Sequence, residues 1–324
     1  VVVMDEAQTL PLRLLRPSLK AVNELSRGYG ASVVLCTATQ PAFRLEDGFG
    51  EAALEGVREL APDPPALHAA LRRVRVRDAG AMDDAALTAR LRDTEQALMI
   101  VNTRAHARAL FEAARDVPGA AHLTTSMTAP HRRAVLSDVR DRLKRGAPVR
   151  LVATSLIEAG VDVDFPQVWR ALAGIDSIAQ AAGRCNREGR LDGPGEVFVF
   201  RPEGRAPPPD QAKFAEEAGH VLARFDDPLS LDAVNAYFRE VYWSMDHGLD
   251  ATEIGGTTGI LKAIAEAGSN MNYPFADIAM KFRVIDEGGL PVIVSGGDWG
   301  IAPYELEQLR FRSAGAIARA LQPY

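Results

Sequence analysis

The sequence predicts an α/β protein built on parallel sheets, and three observations carry that reading. Over residues 1–200, short apolar runs alternate with helical stretches, the pattern of a parallel sheet covered by helices. The composition, 47% hydrophobic and 25% charged over 324 residues, allows a large buried core and excludes wholesale disorder. The charge is unevenly placed: 26 Lys and Arg meet 25 Asp and Glu in residues 1–200, against 11 and 18 in residues 201–324. The acidic surplus lies in the tail, which reads as a separate module. With a net charge of −6, the chain as a whole has no basic character that would announce a nucleic-acid partner.

The elements follow in order. Val1–Met4 reads as a buried parallel strand, because three valines run directly into acid residues. A core strand at residue 1, with neither an initiator methionine nor a signal-peptide pattern, leads us to expect further sequence upstream. Further strands are expected at Ser32–Cys36, Ala97–Asn102, Val149–Ala153, Gln167–Leu172 and Glu196–Phe200, with helices at Arg104–Arg115 and Pro130–Arg145. In the second helix Val135, Leu136, Val139 and Leu143 share one face and the arginines take the other. Residues 72–77 read as the last strand of a first unit, and Pro207-Pro208-Pro209 as a stiff linker. Helices around Gln211–Arg224 and Leu231–Met245, a hairpin over Phe282–Ser295 and a last helix from Tyr304 complete the tail. The expected domains are therefore residues 1–78, 79–204 and 205–324. No apolar run approaches the roughly 20 residues that span a bilayer. Two cysteines, Cys36 and Cys185, make no disulfide scaffold and point to a reducing, cytoplasmic setting.

Four stretches carry chemistry. Asp5-Glu6-Ala7-Gln8 follows an apolar strand; in nucleotide hydrolases the first carboxylate of such a pair holds Mg²⁺ through water and the second polarises the attacking water. Alone, such a pair is more often a solvated turn. Thr37-Ala38-Thr39 follows the next strand, where small hydroxyl residues suit a relay, or simply a helix cap ahead of Pro41. Thr154 and Ser155 offer hydroxyls and N–H groups at a helix start, Gly160 permits close backbone approach, and Asp162 is placed to accept from a ribose or an arginine. The most specific stretch is Gln180–Arg190: Gln180, Arg184 and Arg187 are spaced for one helical face, with Gly183 keeping it open. Two converging guanidiniums suit a γ-phosphate.

In this order the four stretches resemble the conserved motifs of superfamily-2 helicases. Their wording narrows the likeness. Met4–Pro11, Thr37–Pro41, Ser155–Pro166, Val101–Arg104, Leu123–Arg132, Gly183–Gly189 and Tyr273–Val294 resemble the helicase-nuclease of type I CRISPR systems. The resemblance implies tandem RecA-like helicase domains, the first incomplete here, followed by a smaller α+β C-terminal domain. It also implies ATP and Mg²⁺ as cofactors, single-stranded DNA as substrate, and the CRISPR surveillance complex (Cascade) with its crRNA as partner. On that resemblance Asp5 holds Mg²⁺, Glu6 is the base for water, and Gln180, Arg184 and Arg187 surround the γ-phosphate. Gln8, Gly160, Asp162 and Gly183 border the nucleotide, and Thr37, Ala38 and Thr39 couple hydrolysis to movement. Asn102, Thr103, Thr124, Thr125, His131, Arg132, Thr154 and Ser155 face nucleic acid.

The departures define the rest of the expectation. None of the five lysines is preceded by Gly or followed by Ser or Thr, so the Walker A phosphate-binding loop is not in this sequence, and no His-Asp dipeptide marks an HD nuclease. Both are expected in a missing N-terminal half, and the chain alone is expected to be inactive. The alternatives are a non-catalytic remnant or nucleic-acid-binding scaffold, or another superfamily-2 helicase acting on RNA.

Overall fold

A computed structural model describes residues 1–37, 39, 43, 52–245, 248–269, 271–284 and 292–321. The chain divides into two compact units, residues 1–71 with 217–288, and residues 72–216 with 289–324.

In the first unit, β1 (Val2–Asp5) and β2 (Val33–Cys36) pair in parallel, Met4 opposite Leu35 and Asp5 opposite Cys36. Parallel neighbours need a crossover, and α1 (Leu15–Arg27) lies within it. Its Leu15 and Leu19, one turn apart, are both buried. The opening valines form a strand but not the buried one expected: Val1 is 93% and Val3 63% exposed. Among the described residues β1 pairs only with β2, so no further strand covers it. After β2 the chain continues into α2 (Pro64–Leu71).

The second unit runs β3 (Val74–Met82), α3 (Asp84–Asp93), β4 (Gln96–Ile100), α4 (Arg104–Ala114), β5 (Ala120–Leu123), α5 (Ala129–Lys144), β6 (Val149–Ala153), β7 (Gln167–Ala171), α6 (Ile175–Ala182) and β8 (Gly195–Pro202). Its strands form one sheet, all parallel, in the order β3-β8-β7-β4-β6-β5. Helices cover such a sheet on both faces, so its inner strands read as unbroken apolar runs. Ala97–Val101 accordingly has no exposed surface, and Val149–Ala153 is buried throughout. Met99, Val101, Leu110, Val152 and Phe200 meet in one cluster with Leu87 and Leu91 of α3.

Two expectations change here. The strand read as closing the first unit lies in this second sheet, since β3 pairs with β8 and Val76 stands opposite Val197. The boundary expected after residue 78 falls inside β3. The partner is more than a hundred residues away, and no local pattern reveals such a pairing. Strand β5 was not expected at all, because Ala-Ala-His-Leu is short and weakly apolar.

The tail supplies α7 (Pro209–Arg224), α8 (Leu231–Ser244), a short antiparallel pair β9 (Glu253–Ile254) and β10 (Thr257–Thr258), then α9 (Ile260–Ala267), α10 (Phe275–Lys281), α11 (Pro303–Gln308) and α12 (Ala314–Leu321). Residues 205–324 are shared between the two units rather than forming a third. In the first unit Ile254, Ile260 and Ala263 pack around Leu14. Half of the hairpin expected over Phe282–Ser295, Gly288 and Gly289 included, lies outside the described residues. Among the described residues no helix is long and apolar enough to cross a membrane.

A polar cluster joins the start of α3 to the rest of the second unit. Asp83 caps α3, accepting from Ala86 N–H at 2.7 Å. Asp84 receives Arg205 and lies 3.0 Å from Nε2 of the buried His106. The Arg205 hydrogen bond holds the Asp84 carboxyl below the usual range, and burial pushes His106 down. His122 and His131 are lowered by burial as well. A histidine kept neutral by folding takes up its proton first in the unfolded chain. Stability is therefore expected to be full above the unfolded value near 6.5 and to fall as pH drops below it. Loss of the Asp84 contribution follows below the carboxylate range. Melting curves between pH 7.5 and 4.5 check this, and His106→Gln is expected to flatten the upper part of the fall; an unchanged slope contradicts it.

Candidate functional site

In the first unit the candidate residues sit at the carboxyl ends of two parallel strands. Asp5 closes β1 with an exposed side chain, and its Oδ1 accepts from Glu6 N–H at 3.1 Å. Glu6 takes a left-handed conformation, φ +52°, unusual for a residue with a side chain. Gln8 links the two motifs: its amide donates to Glu6 Oε2, and its carbonyl oxygen accepts from Thr37 Oγ1 beyond β2. Thr37 Oγ1 also accepts from Thr39 N–H at 3.2 Å. Thr39 is buried, and its hydroxyl has no hydrogen-bond partner among the described residues. Ala38 lies outside the described residues. Gln8 and Thr37, 29 residues apart in sequence, thus share one hydrogen-bonded chain.

In the second unit, Thr154 follows β6, buried, and donates its N–H to Leu123 O at 3.2 Å. Exposed Ser155 opens a single 3₁₀ turn. Gly160 has φ +67° with open space where a Cβ would stand, so backbone conformation rather than crowding calls for glycine. Asp162 does meet an arginine: its carboxylate lies 3.0 Å from Arg187 Nε. Asp164 accepts from the N–H of Arg187 at 2.7 Å.

The face expected to join Gln180, Arg184 and Arg187 does not form as a helix surface. Helix α6 ends at Ala182 with Gly183 as its cap, leaving Gln180 on the last turn and both arginines beyond it. Asn186, φ +45°, turns the chain again. Arg184 folds inward and is buried, donating from Nε to Ile157 O at 3.0 Å and from a terminal nitrogen to Glu158 O. Arg187 stays 44% exposed. One arginine braces the Ile157–Glu158 turn, and the other reaches solvent beside Asp162.

Beneath these loops lies an ion pair that the motif reading missed. Glu158 and Arg170 are both buried, 2.7 Å apart. Arg170 donates to Asn102 Oδ1 at 2.5 Å and to Ala171 O at 2.8 Å, and Asn102 Nδ2 donates to Leu172 O at 2.9 Å. Burial pushes the Glu158 carboxyl up, against the opposing pull of Arg170. Asn102, implied as a nucleic-acid contact, uses both ends of its amide inside the fold. The visible signal was an arginine within the apolar run Val168–Leu172. Thr103 caps α4, its hydroxyl accepting from His106 N–H at 3.2 Å.

Past β5, Thr124 is buried and accepts from Ser126 N–H at 3.3 Å, while Thr125 is exposed. Arg132 donates to Met127 O at 2.9 Å, and His131 stacks on Trp299. Cys185 is buried against Gly195, its thiol pushed up to about 12, so it is a packing residue and not a nucleophile. Among the described residues one mixed cluster, Glu217, His220 and Glu240, brings ligand atoms together, with Arg224 already paired to Glu240 at 2.7 Å.

Comparison with known proteins agrees with this fold. Residues 93–190 match the family described as CRISPR-associated nuclease/helicase Cas3, C-terminal. The chain is 34% identical over 138 residues to CRISPR-associated nuclease/helicase Cas3 of Haloferax volcanii, covering 34% of this chain and 15% of that protein. The crystal structure of T. fusca Cas3-ATP superposes with a TM-score of 0.55 at 20% identity, over 77% of this chain and 37% of that one. A chain of a CRISPR RNA-guided surveillance complex, pre-nicking, superposes at 0.56 and 16% identity, over all of this chain and 49% of that one. The chain thus spans less than half the length of these relatives.

The six-stranded parallel sheet has the fold of the RecA-like domains in the Cas3 structures. Over residues 93–190 the chain is similar to the Cas3 C-terminal family.

Breaking a buried pair leaves an uncompensated charge and costs about 3–5 kcal/mol, whereas replacing both partners with apolar residues is often neutral. Glu158→Ala is expected to lower the unfolding free energy by that amount, and Glu158→Leu with Arg170→Met to recover most of it. Urea denaturation measures both; a double variant as unstable as the single contradicts the ion-pair account.

Proposed function

We propose that this chain forms part of an ATP-dependent DNA helicase of CRISPR antiviral defence, which reels in single-stranded DNA at the CRISPR surveillance complex (Cascade) and its crRNA. One observation carries the reading. Within each unit the polar motif residues gather at the carboxyl ends of parallel strands, where α/β sheets bind their ligands.

The residues divide the work. Glu6, held by Gln8, orients the attacking water and takes its proton. Exposed Asp5, a hard oxygen donor at the strand end, fits a water-bridged Mg²⁺, and the ion when bound neutralises phosphate charge. Thr37, joined to Glu6 through Gln8, relays the state of that site. Arg187 exchanges Asp162 for the γ-phosphate of ATP, while Arg184 keeps the neighbouring turn in shape. Thr125 and Ser155 are the hydroxyl residues of the nucleic-acid set that lie exposed.

The phosphate cradle is not in this sequence. The chain alone is expected to show no DNA-stimulated ATP turnover above a Glu6→Gln control. Joined as a chimera to the phosphate-binding half of a Cas3 relative, it is expected to turn over. Glu6→Gln then abolishes turnover, and Arg187→Ala lowers kcat by on the order of 10³-fold with little change in ATP affinity. Arg187→Lys rescues little, since an ammonium lacks the planar donor pair. Steady-state ATPase with saturating single-stranded DNA measures all three; a near-normal kcat for Arg187→Ala overturns the arginine's role.

A further inference from the structure

The second unit holds a cavity of about 660 Å³ that none of the helicase motifs explains as a whole. Its walls combine two kinds of group. Phe111 and His122 lie with ring centres 4.3 Å apart, and His131 and Trp299 stack at 4.8 Å with their planes 2° from parallel. Arg104 and Arg108, from the exposed side of α4, line the same space. Among the described residues neither arginine has an ion-pair partner, while the nearby acid, Glu112, pairs with Arg115 at 3.3 Å. Thr124, Ser126 and Thr128 add polar groups at the rim.

Trp299 is placed there by the fold rather than by chance exposure. Thr128, at the start of α5, does not cap its helix; its hydroxyl donates to Trp299 O at 2.8 Å. The turn behind Trp299 is closed by Gly296 N–H to Ile301 O and Ile301 N–H to Val294 O, both 2.9 Å, with Ile301 buried. Gly300 is required in that turn, since a Cβ would stand 2.3 Å from Gly296 O. The indole remains 40% exposed. Burial lowers the basicity of His131, which leaves a neutral ring behind the indole at neutral pH.

A flat aromatic face beside free guanidiniums is the combination that binds single strands: bases stack on the ring and phosphates meet the cations. We propose that Trp299 is a base-stacking platform for single-stranded nucleic acid, backed by His131, with Arg104 and Arg108 holding the adjacent phosphates. The inference rests on the nucleic-acid reading above and adds Trp299 and Arg108, which lie outside the helicase motifs. It needs no base identity, because every base has a π-face.

The test is fluorescence anisotropy of labelled oligothymidylate with the 324-residue chain across a salt series. Trp299→Ala is expected to weaken binding by roughly 5- to 150-fold, the range measured for loss of one stacked base. Trp299→Phe, which keeps an aromatic face, is expected to restore most of it. Arg104→Ala with Arg108→Ala is expected to flatten the salt dependence by about 0.7 in log–log slope for each phosphate released. If Trp299→Ala binds within about twofold of the parent while the arginine variant is weak, the cavity is an anion patch and the platform is overturned. If Trp299→Phe is as weak as Trp299→Ala, the indole acts through local folding, which also overturns it. If the parent chain binds no oligonucleotide at low salt, the nucleic-acid reading fails together with this one.

Discussion

The buried pair of Glu158 and Arg170 is the constraint on which the second unit's working surface depends. Taking two charges out of water costs several kcal/mol each, so such a pair persists only where geometry and further hydrogen bonds compensate it. Here Arg170 lies on β7, Asn102 follows β4, and Glu158 belongs to the turn after β6. One guanidinium therefore fixes three strand ends relative to one another. The position of Glu158 in turn presents its own carbonyl and that of Ile157 to Arg184. The loop carrying Arg187 is thus tied to the sheet through a second, buried arginine.

That arrangement separates support from contact among residues that look alike in sequence. Arg184 is buried and half-buried Asn102 has its amide bonded within the fold, whereas Arg187 and Thr125 reach solvent. A salt bridge to Asp162 holds Arg187, and exposed pairs of that kind are worth little, so the pair restrains Arg187 only weakly. In the first unit the division is similar. Gln8 orients Glu6 and Thr37, and Asp5 stays open.

Much of the sheet was legible in the sequence. Ala97–Val101 is a continuous apolar run because both faces of β4 are covered, and β6 and β7 are mostly apolar apart from Arg150, Gln167 and Arg170. Strand β5 was not legible, being four weakly apolar residues at a sheet edge. The placement of β3 was not legible either, since strand pairing over such a separation has no local signature. The motif residues lie near strand ends, as their sequence contexts implied, but spacing alone misjudged their geometry. Gly183 ends α6 before the arginines, so a three-and-four spacing did not produce one face. Trp299 carried no signal at all; only folding brings it to His131.

The central claim is that the Glu158–Arg170 pair holds the motif loops in place while the sheet stands independently of them. Native-state hydrogen exchange of Arg170→Met against the parent tests this most directly. The account predicts lost protection at Phe165, Asn186 and Arg187, whose amides bond across the two loops, with protection in β4 and β6 retained. Unchanged protection at those three amides, or uniform loss through the sheet, contradicts it.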